Sequence, residues 1–159
     1  GDVVRMASCA PLFDNTEAWQ WKPDLIWVNS LGVLLTPNYY VQKMFANNAG
    51  DATVPLQISA DAAKLFASAT RDHAAGEIIL KVVNGADSPA SLGLAFSGAK
   101  QIAAPVSVTT LAGGLNDENS FADPAKIAPR QTELNEISPR FDYTFPAHSL
   151  TVLRLKAEN

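Results

Sequence analysis

The fold of this chain is decided by one stretch near its end, Leu150-Thr151-Val152-Leu153-Arg154-Leu155. Apolar and polar side chains alternate along this stretch, and a period of two residues is typical of a β-strand. We expect Thr151 and Arg154 to lie near solvent. The side chains expected to face the interior are Leu150, Val152, Leu153 and Leu155. A second apolar run, Ile78-Ile79-Leu80-Lys81-Val82-Val83, predicts another clear strand.

Outward from these two runs, the residues after position 50 consist of short β-type segments separated by turn signals. Asn84-Gly85, Ser97-Gly98 and Gly113-Gly114 are residue pairs that favour tight turns. The predicted strands cover residues 54–58, 65–70, 77–83, 91–96, 106–111, 132–137, 141–145 and 150–156. Seven or eight short strands over about a hundred residues predict an antiparallel β-sandwich or jelly roll over residues 51–159.

The first 50 residues predict α/β structure instead. A short strand buried on both faces is expected over residues 3–7, and a long loop that contains the apolar segment 25–28 follows it. A helix is expected over residues 37–48, because Thr36 suits the N-cap and Pro37 the first helical position. A strand, a long loop and a crossover helix together look like the last unit of a larger α/β structure.

The predicted helix has one apolar face, formed by residues at i,i+4 spacing. Its members are Tyr40, Val41, Met44 and Phe45. Gly50 is placed to end the helix in the left-handed conformation. The first 50 residues alone cannot bury this face, so we expect the chain to pair with a missing partner segment or to self-associate. Residues 51–159 are expected to be more nearly independent.

Composition narrows the classes of function. The chain has 159 residues, 47% of them hydrophobic and 18% charged, which fits one globular domain or one domain with a fragment of another. A net charge of −4 gives no electrostatic basis for binding nucleic acid or an anionic membrane. Cys9 is the single cysteine, which excludes an internal disulfide and a cysteine-based zinc site. The compartment, cytoplasmic or secreted, stays open because no targeting signal is recognised.

Two carboxylates can cleave a glycosidic bond, so acidic residues are one class of candidate catalytic group. Asn135-Glu136 is a tempting pair, but it lies in the alternating segment 132–137, whose polar residues are expected to face solvent. The polar stretch 116–124 could offer oxygen ligands to calcium, but it lacks the spacing and central glycine of a calcium loop. We expect side-chain-to-backbone bonds to hold it, with Phe121 as its anchor.

The remaining candidates are two histidines, the cysteine and two tryptophans. His73, His148 and Cys9 show no metal or triad spacing, so no catalytic residue, metal site or cofactor is predicted. Trp19 and Trp21 lie two apart in a loop and are the candidate substrate-binding residues, because aromatic rings stack on sugars. The same residues could equally seal a loop over the core.

Six motifs in order carry a resemblance that covers nearly the whole chain. Trp21-Lys22-Pro23-Asp24-Leu25-Ile26-Trp27 is one of them. The others are residues 2–13, 36–45, 80–84, 117–121 and 145–154. In these motifs the chain closely resembles the α-L-arabinofuranosidases of glycoside hydrolase family 51.

The resemblance implies a (β/α)8 barrel that carries the chemistry and a C-terminal jelly roll beside it. Residues 1–50 would form the last β/α unit of the barrel, and residues 51–159 the jelly roll, which makes the chain mainly β. The family hydrolyses terminal α-L-arabinofuranosyl groups of arabinan and arabinoxylan with retention, using an acid/base Glu and a nucleophile Glu. Both are expected upstream of Gly1, so the chain alone is predicted to be inactive. The remainder of the barrel and an arabinose-containing saccharide are the implied partners, and the family's trimers and hexamers leave homo-oligomers open.

Two alternatives belong to other classes. A non-catalytic carbohydrate-binding or interaction β-sandwich is the first, and the strand–helix unit of the first 50 residues counts against it. The second is a catalytically competent domain that uses Glu136 or Asp117.

Overall fold

The computed structural model describes residues 6–58 and 64–158, and in this part the chain is mainly β. One helix, α1, spans Pro37–Ala46 there. It is preceded by three short strands, β1 Phe13–Asn15, β2 Ile26–Val28 and β3 Val33–Leu35. The strands after it are β4 Ala52–Val54, β5 Leu65–Asp72, β6 Glu77–Asn84, β7 Ala90–Ala95, β8 Gln101–Ala112, β9 Arg130–Leu134, β10 Arg140–Phe145 and β11 Ser149–Glu158.

Two antiparallel sheets form the larger part of the molecule. The six-stranded sheet has the order β4-β5-β6-β11-β8-β9, and β7 pairs with β10 in a two-stranded sheet. Aliphatic and aromatic side chains of the smaller sheet pack on the larger one, and they include Leu92, Leu94, Phe141, Tyr143 and Phe145. The prediction of a mainly β chain with antiparallel sheets is therefore confirmed.

Strand β11 lies in the middle of the larger sheet and is buried on both faces. Leu153 and Leu155 point into the core between the two sheets, while Leu150 and Val152 point to the opposite face. Thr151 is fully buried, and its hydroxyl lies 3.3 Å from that of the facing threonine on β8. The expectation that Thr151 lies near solvent is wrong, because alternation separates two faces and both faces are covered here.

Helix α1 covers the second face of the larger sheet. Met44 is 5% exposed and packs with Tyr40 and Val41 on the apolar residues of β6, β8 and β11. Phe45 is 41% exposed, so it does not belong to the buried face as predicted. The helix buries its apolar side within the described chain. This removes the reason for which self-association was expected.

The ends of α1 are defined by backbone and side-chain caps. The Thr36 hydroxyl accepts a hydrogen bond from the Tyr39 N–H at 3.3 Å, and Pro37 occupies the first helical position, as predicted. The helix ends at Ala46, and Asn47 caps it in a right-handed conformation. The predicted left-handed glycine cap is therefore wrong.

Gly50 has a different structural role. The chain passes so close to β5 that a β-carbon at Gly50 would lie 2.5 Å from the Arg71 carbonyl oxygen. The next N–H, of Asp51, donates to that same oxygen at 2.8 Å. A residue without a side chain is needed here for close approach rather than for a left-handed turn.

A polar cluster beneath the helix C-terminus fixes α1 to the sheet. Lys81 is 7% exposed, and its Nζ donates to the Asn48 carbonyl at 2.7 Å. Arg154 Nη1 donates to the Asn48 side chain at 3.2 Å, and its Nε donates to Glu77 at 2.7 Å. Burial lowers the pKa of Lys81, and the nearby charge of Arg154 lowers it further. Arg154 thus lies half-buried under the helix instead of in solvent, and positive charge there favours the helix C-terminus.

Several strand ends differ from the predictions. β4 begins at Ala52 and ends at Val54, since Pro55 cannot donate to the ladder. β9 ends at Leu134, three residues before the predicted end. β8 begins earlier than predicted. Pro105 does not end the strand, because it lies where the register with β11 shifts, and a residue without an N–H is tolerated at such a bulge. Of the strand predicted over residues 3–7, residues 3–5 lie outside the described residues, and residues 6–7 form no strand.

The three short strands form a separate small sheet. β1 and β2 are parallel, whereas β2 and β3 are antiparallel. Parallel strands need a crossover connection, and residues 16–25 form it as a long loop. The N–H and hydroxyl of Thr36 both donate to the Leu25 carbonyl, at 3.1 and 2.9 Å, which joins the start of α1 to this sheet.

Leu153→Asp should lower the free energy of unfolding by about 3–5 kcal/mol, because it places an unpaired charge in an apolar core. Leu153 is fully buried, and Leu80 and Val108 flank it on the neighbouring strands. Chemical denaturation followed by circular dichroism measures the loss. Val152→Asp is the matched comparison and should lose less, since Lys81 lies directly opposite on β6. An unfolding midpoint of Leu153→Asp equal to the parent's would contradict burial of this face.

Candidate functional site

All three tryptophans of the chain lie in or beside the crossover loop of residues 16–25, called the tryptophan loop below. Trp19 and Trp21 are in the loop itself, and Trp27 is on β2. The parallel pairing of β1 with β2 sets both ends of this loop. The two candidate substrate-binding residues therefore lie together on one segment, as the sequence requires, but their surroundings differ.

Trp19 belongs to a packed cluster. Its ring centroid lies 6.3 Å from that of Trp27 with the ring planes at 89°, an edge-to-face contact. The Lys22 Nζ lies 5.0 Å from the Trp19 centroid and 5.6 Å from the Trp27 centroid, within the range of cation–π attraction. Trp19 thus helps to hold the loop on the small sheet, although 46% of it stays exposed.

Trp21 is the more open ring. It is 64% exposed, and within residues 6–58 and 64–158 it forms no aromatic or cation–π pair. A flat, exposed indole can stack on the apolar face of a sugar ring. The geometry separates the two candidates, since Trp19 is engaged with neighbours and Trp21 is available for a ligand.

Asp24 is a buried acid at the end of the tryptophan loop. Its side chain is 1% exposed, and neither carboxylate oxygen has a hydrogen-bond partner in the described part of the chain. Burial raises the pKa of Asp24, the charge of Asp14 raises it further, and Lys22 acts in the opposite direction. A buried carboxylate without donors is costly, so this residue is a candidate contact with another segment or ligand. The sequence around Asp24 carries no signal that distinguishes it from an exposed loop acid.

Asn119 is a second buried polar residue that the sequence analysis missed. It is 8% exposed and lies in the loop of residues 113–129, called the β8–β9 loop below. Its Nδ2 donates to the Leu35 carbonyl at 2.9 Å and to the Ile127 carbonyl at 3.0 Å. Its Oδ1 accepts from the Ile127 N–H at 2.7 Å. Leu35 ends β3, so Asn119 connects the β8–β9 loop to the small sheet.

Other contacts confirm that side chains organise the β8–β9 loop. Asp117 accepts from Lys126 Nζ and from the Gly114 N–H, each at 2.8 Å. The hydrogen bond from Lys126 lowers the pKa of Asp117, and the backbone hydrogen bond lowers it further. Phe121 is 40% exposed and lies beside Gly32. The buried anchor of this loop is therefore Asn119, with Ile127, and not Phe121 as expected.

The acidic residues of the described chain do not form a pair that could cleave a glycoside. Glu136 is exposed and lies beyond the end of β9, so it faces solvent as expected, although not on a strand. Asp117 is engaged with Lys126. Asp72 and Glu77 both contact Arg154 Nη2, at 3.5 and 2.6 Å, beneath α1. Asp72 and Glu77 are not among the residues that line the clefts on either face of the larger sheet.

The histidines and the cysteine are accounted for by local contacts. His73 Nδ1 lies 2.5 Å from Asp51, and this bond lowers the pKa of the Asp51 carboxyl. His148 Nε2 lies 3.1 Å from Asp87, and Cys9 is half-buried. Among the described residues no group of three or more His, Cys, Asp or Glu could hold a metal ion. No helix of the described chain is long and apolar enough to cross a membrane.

A cleft lies between the two sheets. Its volume is about 940 Å³, and most of its lining is aliphatic side chains and backbone of β5, β6 and β7. Arg71 is the single ionisable residue of that lining. A cleft lined in this way lacks the two carboxylates that glycoside cleavage requires.

Comparison with known proteins shows similarity to α-L-arabinofuranosidases. The family described as "Alpha-L-arabinofuranosidase C-terminal domain" matches residues 1–149. Alpha-L-arabinofuranosidases 1 and 2 of Arabidopsis thaliana are 29% and 34% identical, over 99% of this chain and 24% of their own lengths. The extracellular exo-alpha-L-arabinofuranosidase of Streptomyces chartreusis is 52% identical over 54 residues, which are 34% of this chain and 6% of that protein.

Solved structures give the same result. The arabinose-bound MgGH51 α-L-arabinofuranosidase is 27% identical and superimposes with a TM-score of 0.91, covering 99% of this chain and 25% of that one. The Thermotoga maritima α-L-arabinofuranosidase, at 18% identity, shares the fold with a TM-score of 0.71 over 82% of this chain and 31% of its own. The chain spans about a quarter of the length of the curated relatives it matches. With residues 1–149 matched and its neighbours in glycoside hydrolase family 51, the chain belongs to the α-L-arabinofuranosidase C-terminal domain family, as the resemblance implied.

Proposed function

We propose that this chain is the C-terminal part of a retaining α-L-arabinofuranosidase that removes terminal α-L-arabinofuranosyl groups from arabinan or arabinoxylan. One observation carries the proposal. The family match extends over residues 1–149, whereas the chain spans about a quarter of its relatives. The catalytic machinery is thus expected in the remaining three-quarters.

The chemistry of retention supports this division. A retaining glycosidase holds a nucleophilic carboxylate and an acid/base carboxylate about 5–5.5 Å apart across the glycosidic bond. In the described residues, the carboxylates of Asp72 and Glu77 meet at Arg154, and neither lines the cleft between the two sheets. We therefore place both catalytic glutamates upstream. The chain itself would complete the catalytic barrel and shield its side.

The architectural proposal follows from the same reasoning. Residues 1–50 would supply the last β/α unit of a (β/α)8 barrel, and residues 51–159 a jelly roll. The parallel pairing of β1 with β2 and the helix that follows β3 are features of α/β units. The two antiparallel sheets suit a jelly roll. Because α1 packs on the larger sheet, the two units would share this helix as their interface.

Trp21, with Trp19 beside it, is the proposed sugar contact of this chain. Trp21 is the open ring of the tryptophan loop, and Trp19 is braced by Trp27 and Lys22. A loop segment that is already held in place loses less entropy when a ligand binds, and the bracing of Trp19 holds part of the loop that carries Trp21.

The upstream part of the enzyme is the proposed partner of Asp24. The carboxylate is covered by this chain itself and has no donor among the described residues, so the tryptophan loop would rearrange where the upstream part packs on it and supplies N–H donors. Self-assembly into homo-oligomers stays a further proposal.

The isolated chain should not hydrolyse an aryl α-L-arabinofuranoside, because both required carboxylates are expected outside it. A chromogenic assay of the purified 159-residue chain measures this. Turnover that is abolished by Glu136→Gln would contradict the proposal. Glu133→Gln, on β9, is the matched control.

In the longer enzyme, Trp21→Ala should raise KM for an arabino-oligosaccharide about fivefold, the equivalent of a stacking contact of ~1 kcal/mol. Trp21→Phe keeps a ring at this position and should retain most of the affinity. Steady-state kinetics of the three proteins separate KM from kcat. Equal KM values in all three would remove Trp21 from the substrate site.

Asp24→Asn should act in opposite directions in the chain and in the longer enzyme. In the isolated chain the folded state disfavours the charged carboxylate, since its pKa is raised above the ordinary value of 3.8. Asparagine should therefore stabilise the chain at pH 7, and this gain should fade as the pH falls towards 3.8 and below. In the longer enzyme the same change removes an interface acceptor and should lower the melting temperature.

Thermal unfolding across pH measures both effects, and Glu17→Gln in the same loop is the exposed control. Stabilisation of both proteins by Asp24→Asn would show that the upstream segment offers this carboxylate no donors.

A further inference from the structure

The chain connects the tryptophan loop to the β-sandwich through β2, β3 and α1. Its position relative to the sandwich therefore depends on what holds β3. The β8–β9 loop is bonded to one end of that strand and lies close to the other. At one end Asn119 donates to the Leu35 carbonyl at 2.9 Å, and at the other the Phe121 ring lies beside Gly32, 3.9 Å from where a β-carbon would be.

The contact at Leu35 leads directly to the tryptophans. Leu35 pairs with Ile26 across the β2–β3 ladder, and the next pair joins Leu34 to Trp27. Trp27 in turn meets Trp19 edge to face at 6.3 Å. A hydrogen bond to Leu35 therefore fixes the ladder on which the cluster of Trp19, Trp27 and Lys22 is built.

We propose that Asn119 is a positioning residue that holds the tryptophan loop in place from the β-sandwich. The inference deepens the proposed function, since the loop it holds carries the proposed sugar contact Trp21. Asn119 itself is buried, and its side-chain hydrogen bonds go to backbone groups of Leu35 and Ile127. It acts through β3, and the Phe121 contact is the second, weaker attachment.

The chemistry of the side chain suits this task. One amide group donates two hydrogen bonds and accepts one, joining the Leu35 carbonyl to the carbonyl and N–H of Ile127. An aspartate could not donate, and an aliphatic side chain would leave three buried backbone groups without partners. The β8–β9 loop that presents Asn119 is itself braced by the Asp117–Lys126 pair at 2.8 Å.

Tryptophan fluorescence of the 159-residue chain tests the proposal directly, because all three tryptophans lie between residues 19 and 27. Asn119→Ala should shift the emission to longer wavelength and raise the acrylamide quenching constant. Both changes should occur at temperatures where far-UV circular dichroism still shows the folded sheets. Trp21→Phe in the same background tells which ring has moved.

Lys126→Ala is the matched control. It loosens the β8–β9 loop but leaves the bond to Leu35, so tryptophan emission should stay at the parent value. Quenching that rises equally in both variants would show that general loosening is responsible, and it would overturn the positioning role. Unchanged quenching in Asn119→Ala would overturn it as well.

Phe121→Ala keeps the test decisive if Asn119→Ala does not fold. Its side chain is partly exposed, so the variant should fold, and it should raise quenching by a smaller amount. In that case an unchanged quenching constant in Phe121→Ala overturns the proposal.

Kinetics of the longer enzyme separate this inference from the proposed sugar contact. If Trp21 contacts substrate, Asn119→Ala should raise KM while kcat changes little. Raised quenching with an unchanged KM would keep Asn119 as a positioning residue and would remove the sugar contact.

Discussion

Burial of strand β11 on both faces is the constraint on which the rest of this structure depends. Leu153 and Leu155 are covered by the two-stranded sheet of β7 and β10, whereas Leu150 and Val152 are covered by helix α1. Fully burying each aliphatic side chain contributes about 1.5–3 kcal/mol to stability. Removing either the two-stranded sheet or helix α1 would therefore destabilise the fold strongly. The helix is consequently part of the core of the sandwich, although the chain reaches it through a separate small sheet. The two halves of the chain are joined by packing and not only by a linker.

Polar contacts decide how the helix and the small sheet are oriented on that core. Apolar packing is non-directional, whereas hydrogen bonds fix angle and register. Lys81 and Arg154 hold the C-terminal end of α1 through Asn48, and Asn119 holds the end of β3 just before α1 begins. The segment that leads out of the tryptophan loop is thus attached at two points about one helix length apart. Both attachments together set the position of the tryptophan loop.

The sequence predicted the parts of this fold that follow from local chemistry. The alternating runs located most strands of the two sheets, and Thr36 with Pro37 located the helix start. It could not predict which faces are covered, because a threonine or arginine in an alternating strand fits either solvent or a second layer. Thr151 and Arg154 were misplaced for that reason. Gly50 was misread because glycine serves both left-handed turns and close approach, and only tertiary contacts distinguish them.

The candidate site shows the same limit. Trp19 and Trp21 were predictable as aromatic loop residues, but their separation into a braced ring and an open ring depends on Trp27 and Lys22. Asn119 gave no signal beyond a polar stretch, since its role arises from contact with a strand more than eighty positions away in sequence. For a retaining glycosidase, displacement of a positioning group by about 1 Å can cost a hundredfold in rate. Directional bonds such as that of Asn119 would be the means by which this domain positions the tryptophan loop, the segment that carries the proposed sugar contact.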